Sequence, residues 1–321
     1  MRVSRAYLER CAGETGFLPE TLEKVTGLGE LADAFARHPL LGRALALKGG
    51  TALNLCFGAS PGRLSVDLDY NYVGHLEREA MSRERPAVEE AVAVVAERLG
   101  FNVQLSAPAF AGRKFYLGYP SVFGPRKRVE VDLNFLWREP VDGLSGRNLW
   151  QPGELDSPCV TTVSLLELCV GKVLAFLDRG TPRDAWDITR LAAMPERPLD
   201  SGAVRAWTIA LSAMFPLPLP RYGRERIEQV LTARRIREEL VPMLTGGGAL
   251  EPTALLVDAW DAVAPLLRLT QPETDYVSGI EQGEIRADLL FPDAPEAAAQ
   301  VCRHPQIRWK VENVNKLPRQ E

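Results

Sequence analysis

Residues 47–70 read LKGGTALNLCFGASPGRLSVDLDY. A short apolar run, Leu45–Leu47, leads into Gly49-Gly50 and the hydroxyl of Thr51. A helical pattern follows over Ala52–Phe57, then a Gly/Pro turn, Arg63, Ser65 and the pair Asp67-x-Asp69. With Val66–Tyr72 read as a strand, Asp67 and Asp69 share one face, because side chains repeat every two residues. Two carboxylates on one face repel each other and resist desolvation, and a divalent cation is the common remedy. A glycine turn opening a helix offers unsatisfied N–H groups to an anion. Phosphate on one side and metal on the other make a nucleotide site. The pattern is not a Walker A loop. The plain alternative is a tight turn with no ligand, followed by a structural acidic pair.

The rest of the composition bounds the class. The chain has 321 residues, 46% hydrophobic and 25% charged, which suits a globular protein of one large or two ordinary domains. A net charge of -4 argues against a globally basic surface and leaves room for a local basic groove. Five cysteines without CxxC spacing point to a reducing compartment, and His38, His75 and His304 are too scattered to suggest a zinc site. No signal-peptide core opens the chain, and runs such as Ala91–Ala96 are too short to span a bilayer. A cytoplasmic protein with no membrane partner is the expectation.

Along the chain, residues 1–40 read as short helices, the second starting at Pro19 and ending at His38-Pro39. His38 reads as a terminus or surface residue. His75–Leu99 is mostly helical, with Pro86 dividing or bending it. Phe101–Ser106, Arg113–Tyr119 and Arg128–Phe135 are strand candidates that extend the first sheet in antiparallel fashion. Glu130, Asp132 and Asn134 share a face of the last strand, so Asp132 is a candidate third acid beside Asp67 and Asp69. Glu130 has a simpler use as a partner of Arg126 or Arg128. Trp137–Pro158 reads as a connection. A helix over Val163–Leu177 then carries Lys172 amid apolar neighbours. Gly180-Thr181-Pro182 breaks it, and Arg183-Asp184-x-x-Asp187 opens another, where capping alone accounts for either acid. Further helical segments fall near 201–213, 224–242, 251–267 and 291–301, with loops at Phe215–Pro220 and Thr245–Gly248. In the terminal HPQIRWK, Trp309 is expected to dock while Arg308 and Lys310 face water, ahead of a polar tail.

Grouped by chemistry, Gly50, Thr51, Arg63, Ser65, Asp67, Asp69, Asp132, Lys172, Arg183, Asp184 and Asp187 supply what metal-dependent phosphoryl or nucleotidyl transfer needs. Hard cations take oxygen ligands, and carboxylates can hold one or two magnesium ions. Backbone N–H groups and cationic side chains offset charge on transferring phosphates.

KGGTAL followed by RLSVDLDY resembles the opening motif of the AbiEii/AbiGii toxin family of nucleotidyltransferases, and the related MenT-type toxins. Glu130-Val131-Asp132, the run ELCVGKVLAFLDRGTPRDAWD over 167–187 and the ending HPQIRWK resemble its later motifs. The resemblance implies an α/β (α+β) fold: a nucleotidyltransferase domain with a mixed sheet over 1–150, then a helical domain over 151–321 that completes the cleft. It implies Mg2+ (or Mn2+) on Asp67, Asp69 and Asp132. It places Gly49, Gly50, Thr51, Arg63, Ser65, Lys172 and Arg183 at the NTP, and makes Asp187 a catalytic or site-organising carboxylate. It further implies a type IV toxin–antitoxin or phage-defence toxin that transfers a nucleotide to RNA, foremost the tRNA 3′ end, with a cognate antitoxin as partner. Two rivals stand beside it: transfer to a protein or small molecule, and a non-catalytic NTP-binding protein. A basic groove beside the acids would favour RNA, and a small closed pocket a small molecule.

Overall fold

The computed structural model describes residues 3–58, 60–246 and 250–316. The chain divides into two compact units, Met1–Leu168 with Glu238–Ala249, and Cys169–Arg237 with Leu250–Glu321.

The first unit opens with α1 (Arg5–Thr15), α2 (Pro19–Arg37) and α3 (Leu41–Ala44). Then come β1 (Leu45–Lys48), α4 (Gly49–Cys56), β2 (Asp67–Tyr72), α5 (Arg78–Arg98), β3 (Asn102–Leu105), β4 (Gly112–Tyr119) and β5 (Lys127–Asn134). β6 (Leu144–Asn148) and β7 (Cys159–Val163) complete a seven-stranded mixed sheet of order β3-β4-β5-β2-β1-β7-β6.

Alternation along the strands sets the two faces. Leu68, Tyr70 and Tyr72 of β2, with Val129, Val131 and Leu133 of β5, are buried. α2 packs on that side through Leu22, Val25, Leu28, Leu31 and Phe35, and the Phe35 and Tyr70 rings meet edge to face at 6.0 Å. The intervening positions, Asp67, Asp69, Glu130 and Asp132, therefore project from the other face.

Several local expectations are corrected. β5 is antiparallel to β4 but parallel to β2. A parallel pair needs a long crossover, and α5 with the β3–β4 hairpin provides it. α5 runs on through Pro86 as one helix. The stretch 137–158 is not merely a connection, since it holds β6, and Val163 ends a strand rather than starting a helix. β6 reads Leu-Ser-Gly-Arg-Asn and is mostly exposed, so it lacks the apolar alternation that marks a strand. α4 begins at Gly49 itself, without a separate turn before Ala52.

The second unit is helical. It holds most of α6 (Leu165–Arg179), then α7 (Pro182–Ala192), α8 (Gly202–Leu211), α9 (Arg224–Val230) and α10 (Ala233–Arg235). α11 (Pro252–Val263), α12 (Gln271–Glu281), α13 (Pro295–Arg303) and α14 (Pro305–Lys316) follow. α7 starts with a capping box, in which the Thr181 hydroxyl accepts from the Asp184 N–H and Asp184 accepts from the Thr181 N–H. The Asp184 carboxylate also takes two hydrogen bonds from Arg179, at 2.8 and 2.9 Å. Burial opposes its ionisation, but the Arg179 hydrogen bond, the charges of Lys172 and Arg179 and the Thr181 hydroxyl outweigh it and hold its pKa low.

Trp309 is 46% exposed rather than docked, and Lys310 is tied back by a hydrogen bond from Nζ to the Phe215 carbonyl. The polar end continues as α14 through Lys316. Residues 247–248 of the expected 245–248 loop, and the tail from 317 on, lie outside the described residues.

Candidate active site

Strand register builds a row of charges across the sheet. Lys114 of β4 pairs with Asp132 of β5, Asp132 with Asp69 of β2, and Asp69 with Lys48 of β1. Register partners point to the same face, so two carboxylates stand side by side with a lysine outside each. Asp67 pairs with Glu130 in the adjoining row. Lys114 Nζ lies 3.3 Å from Asp132 Oδ2. The Asp132 carboxyl is pushed up, first by burial and also by the charge of Asp69, while Lys114 and Lys48 pull it back. A carboxylate crowded in this way gains from a cation.

Across Asp69, α4 supplies the glycines. Gly49 has φ +71°, and a Cβ there would stand 2.3 Å from Asp69 Oδ2. The backbone and the carboxylate can approach this closely only because the residue is glycine. Gly50 faces Arg63 and Ser65, whose side-chain tips would lie 2.9 and 3.0 Å from a Cβ. Arg63 is buried, with Nη1 donating to the Leu64 carbonyl, and Ser65 is buried beside it. The guanidinium and the first turn of α4 together put positive potential at Gly50. Thr51 is fully buried, and its hydroxyl donates to the Asp67 carbonyl, tying the helix start to the acid strand.

Beneath Lys48 lies Glu167, whose carboxylate accepts from the Val141 N–H and from Asn71 Nδ2, both at 2.9 Å. Burial pushes its pKa up to about 7, against the pull of the Val141 hydrogen bond, Lys48 and Asn71.

The second unit carries the other candidates. Lys172 Nζ is 2.6 Å from Asp187 Oδ2, and both groups are buried. Asp184 serves the α7 cap and Arg179, as capping alone would have it.

Lys48 and Lys114 are the residues that sequence reasoning left without a role. Lys48 opens the KGGTAL stretch, but only the pairing of β1 with β2 sets it beside Asp69. Lys114 occupies an alternating position in its strand, and no sequence signal gives the β4–β5 register. Glu130 pairs with Arg128 at 3.0 Å, as the simpler reading held. His75 is a half-exposed neighbour of Glu84, and His38 accepts N–H groups at the end of α2.

Oxygen donors on neighbouring strands suit a hard cation. Among the described residues, no three His, Cys, Asp or Glu groups converge as a ready-made cage.

A mixed sheet with paired acids next to a glycine-started helix, followed by a helical region, defines a protein of the nucleotidyltransferase class. The model of the nucleotidyl transferase AbiEii toxin family, type IV toxin–antitoxin system, matches residues 31–264, more than half of the chain, and the chain belongs to that family. Among solved structures it is similar to the nucleotidyltransferase toxin MenT4 of Mycobacterium tuberculosis, at 19% identity and TM-score 0.64, covering 93% of this chain and 99% of that one. That likeness concerns the fold. A comparison with curated protein sequences finds no match. No helix among the described residues is long and apolar enough to cross a membrane.

Proposed function

We propose that this protein transfers a nucleotide from an NTP to an RNA acceptor, the tRNA 3′ end being the leading candidate, in a magnesium-dependent reaction. The carrying observation is the in-register pair Asp69–Asp132, with Asp67 on the same face and Gly49 against Asp69. In this reading Asp67, Asp69 and Asp132 hold the metal. When bound, that ion supplies charge neutralisation and lowers the pKa of the attacking hydroxyl. The N–H groups of Gly49, Gly50 and Thr51 orient phosphate oxygens, with Arg63 and Ser65 behind them. The acceptor hydroxyl gives its proton to a carboxylate of the site or to water as its oxygen attacks the α-phosphorus, the bond from that phosphorus to the oxygen bridging to the β-phosphate breaks, and pyrophosphate leaves with that oxygen. Lys48 and Lys114 keep the flanking charge balance. By the family's pattern, Lys172 and Arg183 are assigned to phosphate contact and Asp187 to a catalytic or site-organising role.

Incubation with each labelled NTP and total tRNA tests the reading. Label on RNA with wild type, lost in Asp67→Ala, supports it. Label that appears on protein or a small molecule instead replaces the acceptor. Membership of the family supports a cognate antitoxin as partner, and co-purification with the adjacent gene product from cells expressing both tests it.

A further inference from the structure

A buried cradle stands behind Lys48, on the face of the sheet that carries the acids. Its centre is Glu167, 3% exposed, in the first turn of α6. The Glu167 N–H donates to Ser164 Oγ at 3.1 Å, so the carboxylate sits at a capped helix start, where an anion is favoured. Asn71 Nδ2 and the Val141 N–H donate to its two oxygens, both at 2.9 Å. Asn71 follows Asp69 by two residues on β2 and therefore shares its face. Trp137 supplies a second wall. Asn134 Oδ1 accepts from the N–H groups of Leu136 and Trp137, at 2.8 and 2.9 Å, which fixes the turn after β5. The Lys48 ammonium lies over the Trp137 ring, 5.7 Å from its centre.

That ammonium acts on carboxylates on two sides. Its charge is felt by buried Glu167 and by Asp132 of the acid pair. Attraction between charges is strongest where water is excluded, so Glu167 draws Lys48 from behind while the acids draw it from in front. Lys114, the lysine at the other end of the row, is 49% exposed and pairs with Asp132 from the rim, with no such backing. A lysine is a point charge on a flexible stem. A cradle that restricts the stem in advance lowers the ordering cost of binding an anion. Lys48 is also the N-cap residue of α4, so its backbone leads directly into the N–H groups of Gly49 and Gly50.

We infer that Glu167 is a positioning residue: with Trp137 it holds the Lys48 ammonium beside the acid pair, where Lys48 contacts the triphosphate of the NTP. The inference rests on the nucleotide reading of the site, but nucleotide binding can be measured without transfer.

The test is calorimetric titration of the full chain, with magnesium, using the α,β-methylene analogues of the four NTPs. Their α–β bridge is carbon, so no pyrophosphate can leave and affinity is read without turnover. Lys48→Met should bind at least ~10-fold more weakly, and Lys48→Arg, which keeps the charge, should recover much of the loss. Glu167→Gln keeps the size and removes the charge. It should weaken binding roughly 5-fold in the presence of Lys48 and leave it unchanged in the Lys48→Met background. A merely structural Glu167 would cost the same in both backgrounds. Trp137→Leu, at the second wall, supplies the same cycle should Glu167→Gln fail to fold. Equal losses in both backgrounds, unchanged affinity in Lys48→Met, or no binding by wild type overturns the inference, even if nucleotide transfer is real. A cycle that couples as stated, with no transfer to any acceptor, upholds the inference and removes the transfer reading.

Discussion

Gly49 and Asp69 occupy the space of a single side chain: a Cβ on residue 49 would lie 2.3 Å from the Asp69 carboxylate oxygen. Gly49→Ala therefore acts twice. A non-glycine residue at φ +71° costs about 1–2 kcal/mol of backbone strain, and the new methyl group displaces Asp69. The expected outcome is a modest fall in denaturant midpoint with near-complete loss of activity. A fully active Gly49→Ala protein would show that Asp69 need not sit there.

Lys172 and Asp187 form a buried ion pair at 2.6 Å. Lys172→Met removes the ammonium and leaves the fully buried Asp187 carboxylate without it, which should destabilise the fold by about 3–5 kcal/mol. The double variant Lys172→Met/Asp187→Leu should recover much of that loss. Urea unfolding of the four proteins in the cycle measures the coupling, and additive losses would contradict it.

Glu167 gives the fold a pH dependence. Its carboxyl is pushed up to about 7 in the native state, well above an exposed glutamate. Between roughly pH 4.5 and pH 7 the native state binds more protons than the unfolded state, so stability contributed by this group falls as pH rises through that window. The full effect is roughly 3 kcal/mol. Urea midpoints measured from pH 5 to pH 8 should slope downward from this group in wild type, and Glu167→Gln should flatten the slope whatever its absolute stability. An unchanged slope would place the titration elsewhere.

Asp184 stabilises α7 through its N-terminus and Arg179. Asp184→Ala removes the capping-box acid and a charge-assisted pair, with an expected loss of about 1–3 kcal/mol in thermal or urea unfolding. Because the native carboxyl titrates low, this contribution is present at neutral pH and is lost as pH falls through the native pKa. A neutral effect would mean that the cap is redundant.

The legibility of these features in the sequence was uneven, for physical reasons. Strand alternation put Asp67 with Asp69, and Glu130 with Asp132 and Asn134, on shared faces, and the burial pattern of β2 and β5 agrees. The strands β6 and β7 carry little local signal, because Leu144–Asn148 is mostly exposed and Cys159–Val163 runs almost directly into a helix. The parallel pairing of β2 with β5 depends on a crossover, which no local pattern encodes. Lys48 and Lys114 reach the acids only through strand register. Periodicity gives a residue's face; tertiary pairing gives its neighbour.

The central claim is tested most directly by following labelled nucleotide from each NTP onto total tRNA in the presence of magnesium, with wild type and Asp69→Ala side by side. The account predicts label on RNA with wild type, none when magnesium is chelated, and none with Asp69→Ala. No transfer by wild type to any acceptor, or equal transfer by Asp69→Ala, would contradict it.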